Sequence, residues 1–129
     1  MCYTFASGLA HLHTEMHGAR GKPAIAHRDI KSKNILVKND GSCVIADFGL
    51  AVKYDSEKNE VEVGAPNTRV GTIRYMSPEL LEDDGGKANE ESRLTSRTMS
   101  AFLQSDMYSV GLVFWEIARR TTTGEKTVS

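Results

Sequence analysis

Eight consecutive residues, His27-Arg28-Asp29-Ile30-Lys31-Ser32-Lys33-Asn34, constrain this chain more than any others. They put a carboxylate, three cations and an amide into one short stretch, so the fold must present them from a single loop. A second acid, Asp47 of Asp47-Phe48-Gly49, follows after two short apolar runs, Ile35-Leu36-Val37 and Cys43-Val44-Ile45-Ala46. Asn39-Asp40-Gly41-Ser42 lies between those runs and carries turn chemistry, which predicts a β-hairpin. A hairpin there joins Asn34 to Asp47 and can bring the two together.

Each residue type has a matching task. Asp29 can accept a hydrogen bond from a substrate hydroxyl and take its proton. Lys31 can reach a moving anionic group as a point charge. Asn34 and Asp47 offer hard oxygen ligands of the kind Mg²⁺ prefers. Arg28 keeps its charge at any ordinary pH, so it suits holding an anion in place better than proton transfer. The set fits a reaction that gathers negative charge on the transferred group, as phosphoryl transfer does. A lone His-Arg-Asp or Asp-Phe-Gly recurs by chance. The ordered series that runs on to Ser77-Pro78-Glu79 does not.

Upstream, Phe5, Leu9, Leu12 and Met16 recur at helical spacing, which predicts an amphipathic helix from Met1 to about His17. His13 and His17 are four apart, but no third ligand accompanies them, so they are read as surface histidines. Gly18 to Lys22 reads as a turn, and Pro23-Ala24-Ile25-Ala26 leads into the stretch that begins at His27. Lys53 to Arg69 is polar and reads as an exposed loop, with Glu60-Val61-Glu62-Val63 briefly extended and hydroxyls at Ser56 and Thr68. Glu82 to Arg97 reads as a mobile surface loop. From Asp106 to about Arg119 apolar residues run nearly all round a helix, which predicts burial in a core. Arg119 and Arg120 suit its C-terminal end.

Composition excludes little but is consistent. At 129 residues, 40% apolar and 26% charged, the chain is sized for one small globular domain. Its formal net charge of -1 gives no case for nucleic acid or an anionic membrane surface. The cations at Arg20, Lys22, Arg28, Lys31, Lys33 and Lys38 read as a solvated face around a phosphate site. Cys2 and Cys43 form no disulfide framework or metal spacing, and Cys43 in its apolar run reads as a buried thiol. No apolar run reaches the ~18–20 residues of a membrane span, so this segment is expected to be soluble.

The order His-Arg-Asp-x-Lys-x-x-Asn, Asp-Phe-Gly, then Ser-Pro-Glu resembles the eukaryotic protein kinase domain, and the match is recognised rather than deduced. The resemblance covers essentially the whole chain and implies an α+β, kinase-like fold. It would be a mainly helical C-lobe portion with a small β-hairpin carrying the metal ligands. It implies that Asp29, Lys31 and Thr72 are catalytic, that Lys31, Asn34 and Asp47 contact the cofactor, and that Asn34 and Asp47 hold the metal. His27, Arg28, Phe48, Gly49, Glu79 and Asp106 would be structural or regulatory, with Asp106 anchoring the catalytic-loop backbone. The cofactors implied are ATP and Mg²⁺, with Mn²⁺ as an alternative.

Lys31 two residues after Asp29, and Thr72 in Gly71-Thr72-Ile73-Arg74-Tyr75-Met76, resemble the serine/threonine class. Gly21 to Asp29, Lys31 to Lys38 and Gly111 to Arg120 resemble the TGF-β receptor family, and Ala65 to Thr72 leans toward its type I, activin/TGF-β-like branch. Three departures stand out. Asp47-Phe48-Gly49 is the type II form, Ser77 replaces the usual Ala before Pro-Glu, and Ile73 stands where a basic residue is common. The resemblance implies a single-pass membrane receptor with its kinase domain on the cytoplasmic side. Its partners would be other receptor chains and Smad-type substrates, with no nucleic acid and with membrane contact only through a span outside this segment. The sequence holds no Gly-x-Gly-x-x-Gly loop, strand lysine or partner glutamate helix. It is therefore expected to be a partial domain, residues 1–129, without the N-lobe and last C-lobe helices. The alternative function is a truncated, non-catalytic product that acts only through partner binding.

Overall fold

A computed structural model describes residues 2–63, 72–78 and 96–121. The elements in chain order begin with helix α1 (Cys2–His13), strand β1 (Ala24–Ala26) and a 3₁₀ turn (Ser32–Asn34). Strands β2 (Ile35–Val37), β3 (Cys43–Ile45), β4 (Val52–Asp55) and β5 (Glu60–Val63) follow. A second 3₁₀ turn (Ile73–Tyr75) and helix α2 (Ser96–Arg120) complete them. The class is α+β, as expected. None of the described helices is long and apolar enough to cross a membrane.

Helix α1 buries Phe5 and Leu9, one turn apart, and stops at His13 rather than His17. The stop has a local cause. The Lys22 ammonium donates to the carbonyls of Leu12, Thr14 and Pro23, so it takes up acceptors that the helix end leaves exposed. Met16 then pairs with Lys22 in an antiparallel bridge. Gly18 sits at φ +104°, where an L side chain is strained. At Gly21 a Cβ would lie 2.8 Å from the Met16 carbonyl, so only glycine fits the turn.

The predicted hairpin forms. Strands β2 and β3 pair antiparallel, Ile35 opposite Ile45 and Val37 opposite Cys43. Asp40 accepts from the Ser42 amide and hydroxyl, and Gly41 takes φ +81°. Asn34 stands just before β2 and Asp47 just after β3. The Ala46 amide donates to the Asn34 carbonyl at 2.8 Å, which closes the hairpin's base between them.

A three-stranded sheet in the order β1-β4-β5 corrects the reading of an exposed loop from Lys53 onward. Val52 and Val61 are buried, and Glu60 to Val63 pair fully with β4. The polar majority of this segment hid a period-two pattern. The pairing edge came from β1, which is distant in sequence. Thr68 lies outside the described residues.

Helix α2 starts at Ser96, well before the expected Asp106, because Met99, Phe102 and Leu103 extend its apolar stripe. It joins two cores. Met99 and Phe102 pack with Ala24, Ala26, Val52 and Val61 on the three-stranded sheet. Val110 and Val113 pack with Phe5, Leu9, Ile30 and Cys43. The expectation of burial all round is corrected: Met107, Tyr108 and Trp115 are exposed away from the cores, and Ile117, one turn beyond Val113, is exposed as well. Trp115 carries Arg119 over its ring at 4.9 Å.

Candidate active site

The loop between β1 and the first 3₁₀ turn is held from beneath. Ile30 is buried in the α1-side core, and His27 is wholly buried. The carboxylate of Asp106, on α2 and also buried, accepts from the His27 amide at 2.8 Å and the Arg28 amide at 2.9 Å. Those bonds hold Arg28 at φ 68°, a left-handed conformation that costs a non-glycine residue on the order of 1–3 kcal/mol. The Arg28 guanidinium lies 4.7 Å from the centre of the Phe102 ring. Burial lowers its pKa, and the Asp106 charge partly offsets that.

His27 organises the loop through both ring nitrogens. The Asp29 amide donates to Nδ1 at 3.2 Å, so Nδ1 carries a lone pair. Nε2 is then the protonated nitrogen, and it donates to the Ala46 carbonyl at 2.9 Å. The ring thus ties the loop to the hairpin's base. Phe48 packs edge-on against it at 5.2 Å.

Four donors converge on the Asp29 carboxylate. Oδ1 accepts from the Thr72 amide at 3.1 Å and the Thr72 hydroxyl at 2.9 Å. Oδ2 accepts from Asn34 Nδ2 at 3.3 Å and faces Lys31 Nζ at 3.4 Å. Lys31 also donates to the Thr72 hydroxyl at 2.8 Å, so this one hydroxyl links base and cation. Asn34 Nδ2 donates in addition to the Asp29 carbonyl at 2.8 Å, which turns the amide nitrogen toward the loop. The contacts of Asn34 and Lys31 on Oδ2 are the longest of the four. A hydroxyl approaching Asp29 would displace them at least cost.

Asp47 adopts φ 62°, and its Oδ1 accepts from the Gly49 amide at 3.3 Å. Phe48 and Gly49 are largely exposed. No group of three or more His, Cys, Asp or Glu side chains capable of holding a metal occurs among the described residues. Mg²⁺ does not need one. It keeps several waters and binds through one or two protein oxygens together with substrate phosphates. With the Asn34 nitrogen committed to Asp29, its oxygen and the exposed Asp47 carboxylate are the hard donors that could take such an ion.

Of the residues singled out in the sequence, the fold brings Asp29, Lys31, Asn34 and Thr72 into mutual contact. It places His27, Arg28 and Asp106 directly beneath them. Glu79 lies outside the described residues. His13 was missed. Read as a surface histidine, it is mostly buried, and its Nε2 lies 2.8 Å from Asp106 Oδ2. Its spacing from Leu9, one turn before, placed it on the packed side of α1 and was the available signal. Lys22 and Arg28, taken for a solvated face, instead cap a helix and stack on an aromatic ring.

Compared with known families, residues 1–127 match the protein kinase domain. The chain belongs to the protein kinase domain family. Over 119 residues it is 56% identical to TGF-beta receptor type-1 of Homo sapiens, which covers 92% of this chain and 22% of the relative. Over 124 residues it is 53% identical to activin receptor type-1C of Rattus norvegicus, covering 96% of this chain and 23% of that protein. Activin receptor type-1B of Homo sapiens is 52% identical over 119 residues, 92% of this chain and 22% of the relative. The chain therefore spans under a quarter of the length of these relatives. The similarity runs to TGF-beta and activin type I receptors.

Proposed function

We propose that this sequence supplies the catalytic loop and metal-binding side of a receptor protein serine/threonine kinase. The whole protein would transfer the γ-phosphate of ATP to serine or threonine hydroxyls of protein substrates. The observation that carries this reading is the convergence of Lys31, Thr72 and Asn34 on the Asp29 carboxylate. A saturated, mostly buried carboxylate is held in one rotamer. It is therefore pre-positioned to orient a hydroxyl and accept its proton. Lys31, held by the Thr72 hydroxyl at 2.8 Å and 3.4 Å from Asp29, would turn its charge toward the transferring phosphate. Thr72 and Lys31 together favour a serine or threonine acceptor. Asn34 and Asp47 would hold Mg²⁺ against the phosphates. When bound, the metal neutralises charge on the nucleotide.

By similarity to the type I receptors, the domain would work on the cytoplasmic side of a membrane receptor. Its partners would be other receptor chains and Smad-type substrates. The test compares Asp47→Asn with Asp29→Asn in the full-length protein. Asp47→Asn should remove Mg²⁺-dependent nucleotide binding, whereas Asp29→Asn should keep binding and lose nearly all transfer. Near-wild-type rates in both variants, or a product that is mainly phosphotyrosine, would overturn the assignment.

A further inference from the structure

One turn of α2 faces both halves of the site. Asp106 holds the catalytic loop through the His27 and Arg28 amides. Its neighbours Ser105 and Ser109 hold the segment 72–78. Ser109 donates from its hydroxyl to the Tyr75 carbonyl at 2.7 Å. Ser77 donates to the Ser105 hydroxyl at 3.0 Å, and both of those side chains are buried. The middle of segment 72–78 is held by Tyr75, whose hydroxyl donates to Glu116 at 2.9 Å and whose ring packs against the α1-side core. Ile73 is 72% exposed, and Ser77 is the one fully buried residue in it, at 0%. Thr72, at the other end, carries the contacts to Asp29 and Lys31.

We infer that Ser77 and Ser105 form a matched hydroxyl pair that sets the position of Thr72 relative to Asp29. They are positioning residues, since neither touches the reacting atoms, and the catalytic part of the inference rests on the function proposed above. Ser77 is wholly buried, so its hydroxyl needs a partner, and Ser105 is that partner. A buried donor that loses its acceptor must find water or shift its backbone. The backbone that would shift here is the one that ends in Thr72. Deleting both hydroxyls leaves no polar group unsatisfied and only a small gap between the two Cβ atoms.

The pairing makes an asymmetric prediction. Ser105→Ala strands the Ser77 hydroxyl and should be the most damaging change. Ser77→Ala leaves Ser105 able to bond back to its own helix and should be milder. The double variant should behave better than Ser105→Ala alone. The primary readout is hydrogen exchange of the Thr72 and Tyr75 amides in the 129-residue chain, which needs no catalysis. Exchange should rise about tenfold in Ser105→Ala, the size expected for one stranded buried hydroxyl. It should fall back to within about threefold of the parent in the double variant, close to the effect of one ordinary hydrogen bond. Equal rates in all four proteins would overturn the inference. So would a double variant at least as fast as Ser105→Ala. Phosphotransfer by the same variants of the full-length protein gives the second readout. There kcat should fall and recover in the same order while KM for ATP stays constant. If the parent transferred no phosphate, the proposed function would fail, and the exchange rates would still decide the pairing.

Discussion

His13 and Asp106 meet at 2.8 Å, imidazole Nε2 to carboxylate Oδ2, although they lie on different helices far apart in sequence. The contact supplies a third donor to a carboxylate that is only 1% exposed and already accepts two backbone amides. A buried carboxylate is tolerated only when its lone pairs are filled. The end of α1 is thus part of what lets Asp106 sit beneath the loop of His27 and Arg28.

Removing that donor should cost stability. His13→Ala leaves Asp106 Oδ2 with the His27 amide alone, and a loss of about 1–3 kcal/mol is expected. His13→Gln restores an N–H donor of similar reach and should recover a good part of it. Urea denaturation of the three proteins gives the comparison, and equal stability of His13→Ala and wild type would refute the role.

The Thr72 hydroxyl both donates to Asp29 and accepts from Lys31, so its loss breaks two contacts at once. On the function proposed above, Thr72→Val in the full-length protein keeps the volume and removes the link. Misplacing a catalytic group by about 1 Å can cost on the order of 10²-fold, and a fall in kcat of ~10–100-fold is expected. Thr72→Ser keeps the hydroxyl and should stay within about threefold of the parent, because both hydrogen bonds can still form. Steady-state kinetics separates these outcomes from a change in KM for ATP.

Much of this site was legible because its chemistry is sequential. Asp29, Lys31 and Asn34 are fixed by one loop, and the turn residues Asp40 and Gly41 announce the hairpin that leads to Asp47. The rest depended on contacts between distant residues. β4 and β5 look polar until β1 offers them an edge. His13 looks exposed until α2 brings Asp106 to it. The early start of α2 at Ser96 was obscured by the polar residues around Met99 and Phe102, which become core only against the sheet.

Glu116 should report the seating of segment 72–78 through its titration. Its carboxylate accepts from the Tyr75 hydroxyl at 2.9 Å. That bond, then one from Ser32, then the charges of Arg120 and Arg74, hold its pKa below the usual glutamate value. A depressed carboxylate pKa means the favourable contact is present above the unfolded-state value and is lost as pH falls through the folded-state value. The Tyr75 contact should therefore persist at neutral pH and weaken only in acid. Tyr75→Phe should move the Glu116 midpoint upward in a carboxyl NMR titration. An unchanged midpoint would show that the tyrosine does not hold it.

His27 should be locked in one neutral tautomer. The Asp29 amide can only donate, so Nδ1 must accept, and the proton belongs on Nε2, facing the Ala46 carbonyl. The ring is fully buried, and Phe48 packs against it, so no water is at hand to support the other tautomer. Nitrogen-15 spectra of the histidine side chains should show one ring with the Nε2–H pattern, absent in His27→Phe. That variant keeps an aromatic ring but strands the Asp29 amide and the Ala46 carbonyl. It should therefore lose about 1–3 kcal/mol and loosen the link between Asp29 and the hairpin's base. A His27 ring found protonated on Nδ1, or rapidly exchanging between tautomers, would mean that the Asp29 amide is held by something other than this imidazole.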